Sequence, residues 1–289
     1  MSERTLARRR SGKPVTDVLL SIWGWLVMAF LFAPILVIVV YSFNEGRLLA
    51  SWDGFGFAAY EAAFANRQIV ATVLVTIRVA IWSAVVATLL GTMAGIALAR
   101  RPGRWTAWFT GLLLLVTVTP EIVDAVALLP WFVQLGTELG VTILNDGIVR
   151  LAIGSSLFST AVVAYLVRSR LIGLDEHLEH AATDLYATPF QALTRVTLPL
   201  TAPAVVSGFL LSFTLSLDNT IIAAFVSVQG ATPWPVYILG SVRSGLRPEI
   251  AAMSTIMLAL TLVVLVLVAI VLRRSGDSTT QIARTMTGG

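Results

Sequence analysis

Six apolar runs, near residues 17–43, 69–99, 106–135, 149–167, 203–228 and 250–272, alternate with short polar segments along the chain. An α-helix needs roughly 20 apolar residues to cross a hydrocarbon core of about 30 Å, and each run approaches or exceeds that length. The pattern predicts an all-α integral membrane protein with six transmembrane helices. Residues 17–272 form its expected transmembrane domain, flanked by a basic tail over 1–16 and a small polar tail over 273–289. The first run follows basic residues, as a signal peptide does. Its apolar stretch is too long for a signal sequence and no clean small-residue cleavage site follows, so it reads as a retained helix.

Composition supports the pattern. The chain is 57% hydrophobic and 12% charged, against about 25% charged residues in soluble domains. With the N-terminus inside, 14 of the 20 basic residues fall on internal segments, among them Arg100, Arg101, Arg104, Arg168, Arg170 and Arg195. Five fall outside and Arg78 lies within a span. That asymmetry predicts both termini cytoplasmic. Because the basic residues follow membrane sidedness, the net charge of +4 does not point to nucleic acid.

Several chemistries are absent. Without cysteine there is no disulfide, thiolate metal site or cysteine nucleophile. No Gly-x-x-x-x-Gly-Lys-Ser/Thr loop is present, so the chain does not bind ATP in that manner. The two histidines, His177 and His180, sit together in one polar loop, and no metal set or Ser/His/Asp arrangement can be assembled. An intramembrane enzyme would need such a set facing a cavity.

That loop, about residues 175–203, interrupts two apolar runs. From Glu179 it reads Glu-His-Ala-Ala-Thr-Asp-Leu-Tyr-Ala-Thr-Pro-Phe-Gln-Ala-Leu-Thr-Arg-Val-Thr-Leu-Pro. It resembles the signature of permease subunits of type I ABC importers: Glu-Ala-Ala, three residues, Gly, nine residues, then Ile-x-Leu-Pro. Leu198 and Pro199 take the Leu-Pro positions, Ala181 and Ala182 the Ala pair, and Asp184 also looks like the family. Two positions depart. His180 takes the acidic first position, with Glu179 just before it, and Tyr186 takes the Gly. A carboxylate one residue early is turned by about 100° on a helix. A ring at the Gly position requires a right-handed turn or a wider partner groove.

The resemblance narrows downstream. Ser212–Asn219, Ala223–Ser227, Ser241–Ala252 and Pro120–Val123 look like the spermidine/putrescine branch, in which an Asp pair is usual where Asp218-Asn219 stands here. The resemblance implies alternating access driven by ATP. It implies a second permease, two ATPase subunits and an external solute-binding protein as partners, with membrane lipid around the spans. It implies no cofactor in this chain, ATP and Mg being held by the partner ATPase. The nearest alternatives are importers of iron, sulfate or thiamine. A secondary transporter would instead show inverted repeats and paired helix interruptions, and the sequence displays neither.

Asp218, Asn219, Glu121 and Asp124 are the candidate substrate-pathway residues. The two acidic residues of the third run read as mid-span, and Asp218 as lying in the outer half of the fifth. A charge at a helix centre costs about 2.5–3.5 kcal/mol on insertion scales, so these carboxylates should face a cavity or a partner. A protonated amine could meet them there, with Trp131, Phe213 or Phe225 offering cation–π contact. Alternatively, Arg78 neutralises Glu121 or Asp124.

Overall fold

The computed structural model describes residues 15–46, 48–49, 51–101 and 103–274. Most of both tails, together with Arg47 and Pro102 of the Arg100–Arg104 hairpin, lie outside the described residues. Within them the regular elements are helical, and one isolated bridge pairs Asn44 with Phe55.

Helix α1 (Val15–Tyr41) is apolar on every side and exposed along nearly its whole length, packing against the last helix α12 (Pro248–Arg274). A helix with no polar face belongs in lipid or against another chain. Beyond it, Phe43, Phe55, Phe57 and Tyr60 stack on one another beside the short α2 (Ala58–Ala65). The Asn66 side chain then caps α3 (Arg67–Arg100), accepting from the N–H groups of Gln68 and Ile69 at 3.0 and 3.3 Å. At 34 residues, α3 is a rod about 50 Å long. The Asp146 side chain caps α6 (Gly147–Ile172) in the same way.

Helices α3, α6 and α9 (Leu198–Leu217) form the centre of the bundle, and α12 packs on α9. Small residues let them meet. A Cβ on Gly91 would lie 2.6 Å from the Val163 Cβ and 2.8 Å from the Thr160 carbonyl oxygen. On Gly208 it would lie 3.1 Å from Val163 Cγ1. Val163 of α6 is thus seated between α3 and α9 with no solvent exposure. In lipid, where apolar side chains gain little by leaving the solvent, such close backbone approach is what holds helices together.

Five helical runs are each long and apolar enough to cross a membrane. The third predicted span is different. It divides into α4 (Arg104–Val118) and α5 (Glu121–Val133), bent by 102° and extended by a π-helical turn over Gln134–Glu138. Pro120 forces the break, because its ring pushes Thr119 into extended backbone with φ −62° and ψ 128°. The pair, counted as one broken span, makes six.

The fifth span is also broken. Asp218, Asn219 and Thr220 separate α9 from α10 (Ile221–Val226), and α10 packs on α5 and α6. Asp and Asn compete for backbone hydrogen bonds and so suit a helix end better than its interior. The expectation of uninterrupted helices therefore fails at two places. Residues 229–249, expected as an outer loop, contain α11 (Trp234–Ser241), whose first turn is buried against α3.

Gly91→Ala is expected to destabilise the purified protein by about 1–3 kcal/mol, the usual penalty for overpacking. Thermal unfolding in detergent measures it. Adding Val163→Ala should recover part of the loss, because the Thr160 carbonyl would still crowd the new methyl.

Candidate functional site

The two helix breaks face one cavity. It measures about 760 Å³ and brings together Glu121, Asp218, Asn219 and Thr220. Glu121 opens α5 immediately after Pro120, and Asp218 caps the C-terminal end of α9. Glu121 stands mid-span at the break between α4 and α5, and Asp218 at the end of its helix. The remaining wall comes from Thr214 and Leu215 of α9, Trp234 and Ile238 of α11, and Ser254 and Thr261 of α12.

Asp124 lies one turn into α5 and does not line this cavity. No ion pair joins Arg78 to Glu121 or Asp124 among the described residues. Glu121 is therefore not neutralised by an arginine within the described part of the chain. Its position in the first turn also favours negative charge through the helix dipole. The Asn219 Oδ1 atom is buried without a hydrogen-bond partner.

The aromatic wall is Trp234. Trp131, Phe213 and Phe225 do not line the cavity. Trp234 is 3% exposed, stacks on Tyr237 with ring centroids 5.6 Å apart, and donates its backbone N–H to Thr76 Oγ1 of α3 at 2.7 Å. Its signal in the sequence is Pro233-Trp-Pro235. Proline at the first helical turn starts a helix, and a tryptophan there is unlike an ordinary loop residue. Reading the segment as a loop hid it.

At the other end of α3 and α9 lies the polar loop. Helix α7 (His177–Asp184) ends at Leu185, and Thr188 opens α8 (Pro189–Ala192) through a capping box with Gln191. The backbone then runs as a π-helix over Leu193–Thr197, with the Leu198 N–H bonding the Leu193 carbonyl. This shift lies just before Pro199, which has no N–H and whose ring would crowd the carbonyl four residues back.

Glu179 does not point outward. Its Oε1 accepts from Arg100 Nε at 3.0 Å and from Thr197 Oγ1 at 2.8 Å. His180, Ala181, Asp184 and Pro199 are exposed, while Ala182 and Leu198 are half-buried. The outward-facing position thus carries an imidazole, and the neighbouring carboxylate is spent on an internal bond. Tyr186 departs from the expected right-handed turn. It has φ 63°, the one positive value at a non-glycine residue among the described residues, and its side chain is 96% exposed. Tyrosine adopts the conformation that glycine would, at a strain of roughly 1–2 kcal/mol.

Residues 87–277 match the family described as "Binding-protein-dependent transport system inner membrane component". The chain is 36% identical over 251 residues to the spermidine/putrescine transport system permease protein PotC of Haemophilus influenzae, covering 87% of this chain and 95% of that protein. It is 38% identical over 232 residues to the putrescine transport system permease protein PotI of Escherichia coli K12, covering 79% and 82%. Among solved structures, a chain of the bacterial alginate ABC transporter in complex with alginate pentasaccharide-bound periplasmic protein superimposes with a TM-score of 0.69 at 17% identity. That match covers 90% of this chain and 94% of the other.

Tyr186→Gly is expected to stabilise the loop by up to about 1 kcal/mol, the relieved strain less the backbone entropy of glycine. Amide hydrogen exchange over residues 182–190 reads the change. Tyr186→Ala keeps the strained backbone and should bring no such gain. Equal protection in both variants would assign the effect to the exposed ring instead.

Proposed function

This chain belongs to the family of binding-protein-dependent transport system inner membrane components, and from that we propose that it moves polyamines, such as spermidine or putrescine, through an ATP-driven importer. It is a multi-pass permease subunit of an ABC transporter. In this reading both termini are cytoplasmic, and a second permease completes the pore. Two separate ATPase subunits hold ATP and Mg, and an external solute-binding protein delivers the substrate.

The observation that carries the substrate reading is the shared cavity of Glu121 and Asp218. A polyamine is a flexible chain of methylenes with protonated amines spaced along it. The cavity offers two carboxylates to the ammonium groups, the free Asn219 oxygen as a neutral acceptor, and apolar walls at Leu215, Ile238 and Leu258 for the methylenes. Asp124, outside the cavity, has at most a supporting role. Asn219 provides one charge fewer than a carboxylate would, which lowers the attraction for each additional amine.

Both carboxylates lie at helix breaks, and this matters for transport. A broken helix can change the angle between its halves with few hydrogen bonds lost, so the cavity wall can reshape as access alternates. At the far end, exposed Leu185, Tyr186 and Phe190 form the surface offered to the ATPase, with His180, Ala181 and Asp184 beside them. ATP-driven closure of the two ATPases would push on that surface and shift the permease between inward-open and outward-open populations.

A charge-assisted hydrogen bond contributes about 1.5–3 kcal/mol. Asp218→Asn should therefore lower uptake of radiolabelled putrescine or spermidine by roughly 10-fold to 100-fold at sub-saturating substrate, with membrane assembly intact. Glu121→Gln should act in the same direction. Unchanged uptake kinetics in both variants would remove this cavity from the pathway. Copurification of the chain tests the rest: an ATPase and a binding protein should accompany it, and polyamine should stimulate ATP hydrolysis.

A further inference from the structure

The loop that faces the ATPase and the cavity that faces the substrate lie at opposite ends of the same two helices, and one charged cluster grips both. Helix α7 has no buried residue, so apolar packing does not fix it to the bundle. Polar bonds do. Arg100, the last residue of α3, has a side chain 13% exposed. Its Nε donates to Glu179 at 3.0 Å, and its Nη1 donates to Glu176 at 3.3 Å and to the Leu171 carbonyl of α6 at 3.4 Å. The Glu179 oxygen that accepts from Arg100 also accepts from Thr197, which is 4% exposed. The Thr197 carbonyl in turn receives the Thr201 hydroxyl of α9 at 2.9 Å.

We propose that Arg100 is a positioning residue that couples the polar loop to the substrate cavity through α3 and α9. The loop's motion enters α3 through Arg100 at Glu179 and Glu176, and enters α9 both through the Glu179–Thr197 bond and through the continuous backbone of Pro189–Leu217. Along α3 the displacement runs about 36 Å from Arg100 to Thr76 at 1.5 Å per residue. There Thr76 holds the backbone of Trp234, on one wall of the cavity. Along α9 it runs from Thr197 to Asp218, which also lines the cavity. Helices are stiff along their axes, so a push at one end arrives at the other with little loss. A guanidinium suits this junction because its planar fork bonds several acceptors at fixed angles, whereas an ammonium acts as a point charge.

This inference rests on the ATPase-driven reading above. It is tested in the assembled importer, with both permeases, the ATPase and the binding protein reconstituted in liposomes. The readout is polyamine transported per ATP hydrolysed. Arg100→Met should lower that ratio at least tenfold while the ATPase still copurifies in normal yield. The charge exchange Arg100→Glu with Glu179→Arg should recover a large part of it, and Arg100→Lys should fall between. Thr197→Val, which removes one hydroxyl and keeps the ion pair, should lower the ratio about threefold and serves where Arg100→Met does not assemble. A normal ratio in Arg100→Met or, failing that variant, in Thr197→Val overturns the proposal. Loss of ATPase copurification in Arg100→Met with no recovery in the exchange also overturns it, since Arg100 would then serve docking. A wild-type complex that retains no ATPase overturns the underlying reading instead.

Discussion

A peptide group surrounded by hydrocarbon has no water to bond, so a chain that spans a bilayer stays helical wherever lipid touches it. Backbone that leaves the helix must find protein or a wet cavity. This chain leaves it within the third span, at Thr119-Pro120, and again at Asp218–Thr220, just past the end of the span Pro189–Leu217. Both breaks open on the same cavity, and both bring a carboxylate to it. The irregular backbone, the charges and the cavity are consequences of one constraint, because each would be costly against lipid and each is tolerated by the others.

The same constraint shapes the packing. Helices in a membrane gain little from burying apolar surface, so α3, α6 and α9 meet through glycines and small side chains. Val163 between Gly91 and Gly208 keeps the three rods in register. Rods held that closely can act together, which is why a displacement of the polar loop can be felt far away. The loop itself has almost nothing buried, and its attachment depends on the Arg100, Glu179 and Thr197 cluster. Polar bonds of this kind can be remade as the loop shifts, while the glycine contacts stay closed.

The loop also illustrates how a familiar spacing can hide an altered surface. Its outward position is His180, and the adjacent carboxylate turns inward to Arg100. Tyr186 takes up the left-handed backbone of a glycine and presents its whole ring to the partner side. The strain at Tyr186 is stored in this exposed loop. Membership of the family survives these changes because the matching segment, residues 87–277, holds the loop together with the spans that follow α3.

Hydrophobic run length alone determined the all-α membrane class, since the bilayer imposes its thickness on any crossing helix. The loop pattern near 175–203 and the acidic candidates Glu121 and Asp218 were also legible, because a charge in an apolar run is costly and therefore visible. What run length could not reveal was that Pro120 and Asp218-Asn219 each end a helix and that both ends meet at one cavity. Tertiary structure alone decided that Glu121 joins Asp218 at the cavity and that Asp124, three residues further along α5, does not. It alone supplied Trp234, whose segment is too short to register as a span and acquires its role only by packing on Thr76 of α3. The facing of Glu179 toward Arg100 likewise arises from residues 79 positions apart, a distance that local pattern does not bridge and that only folding closes.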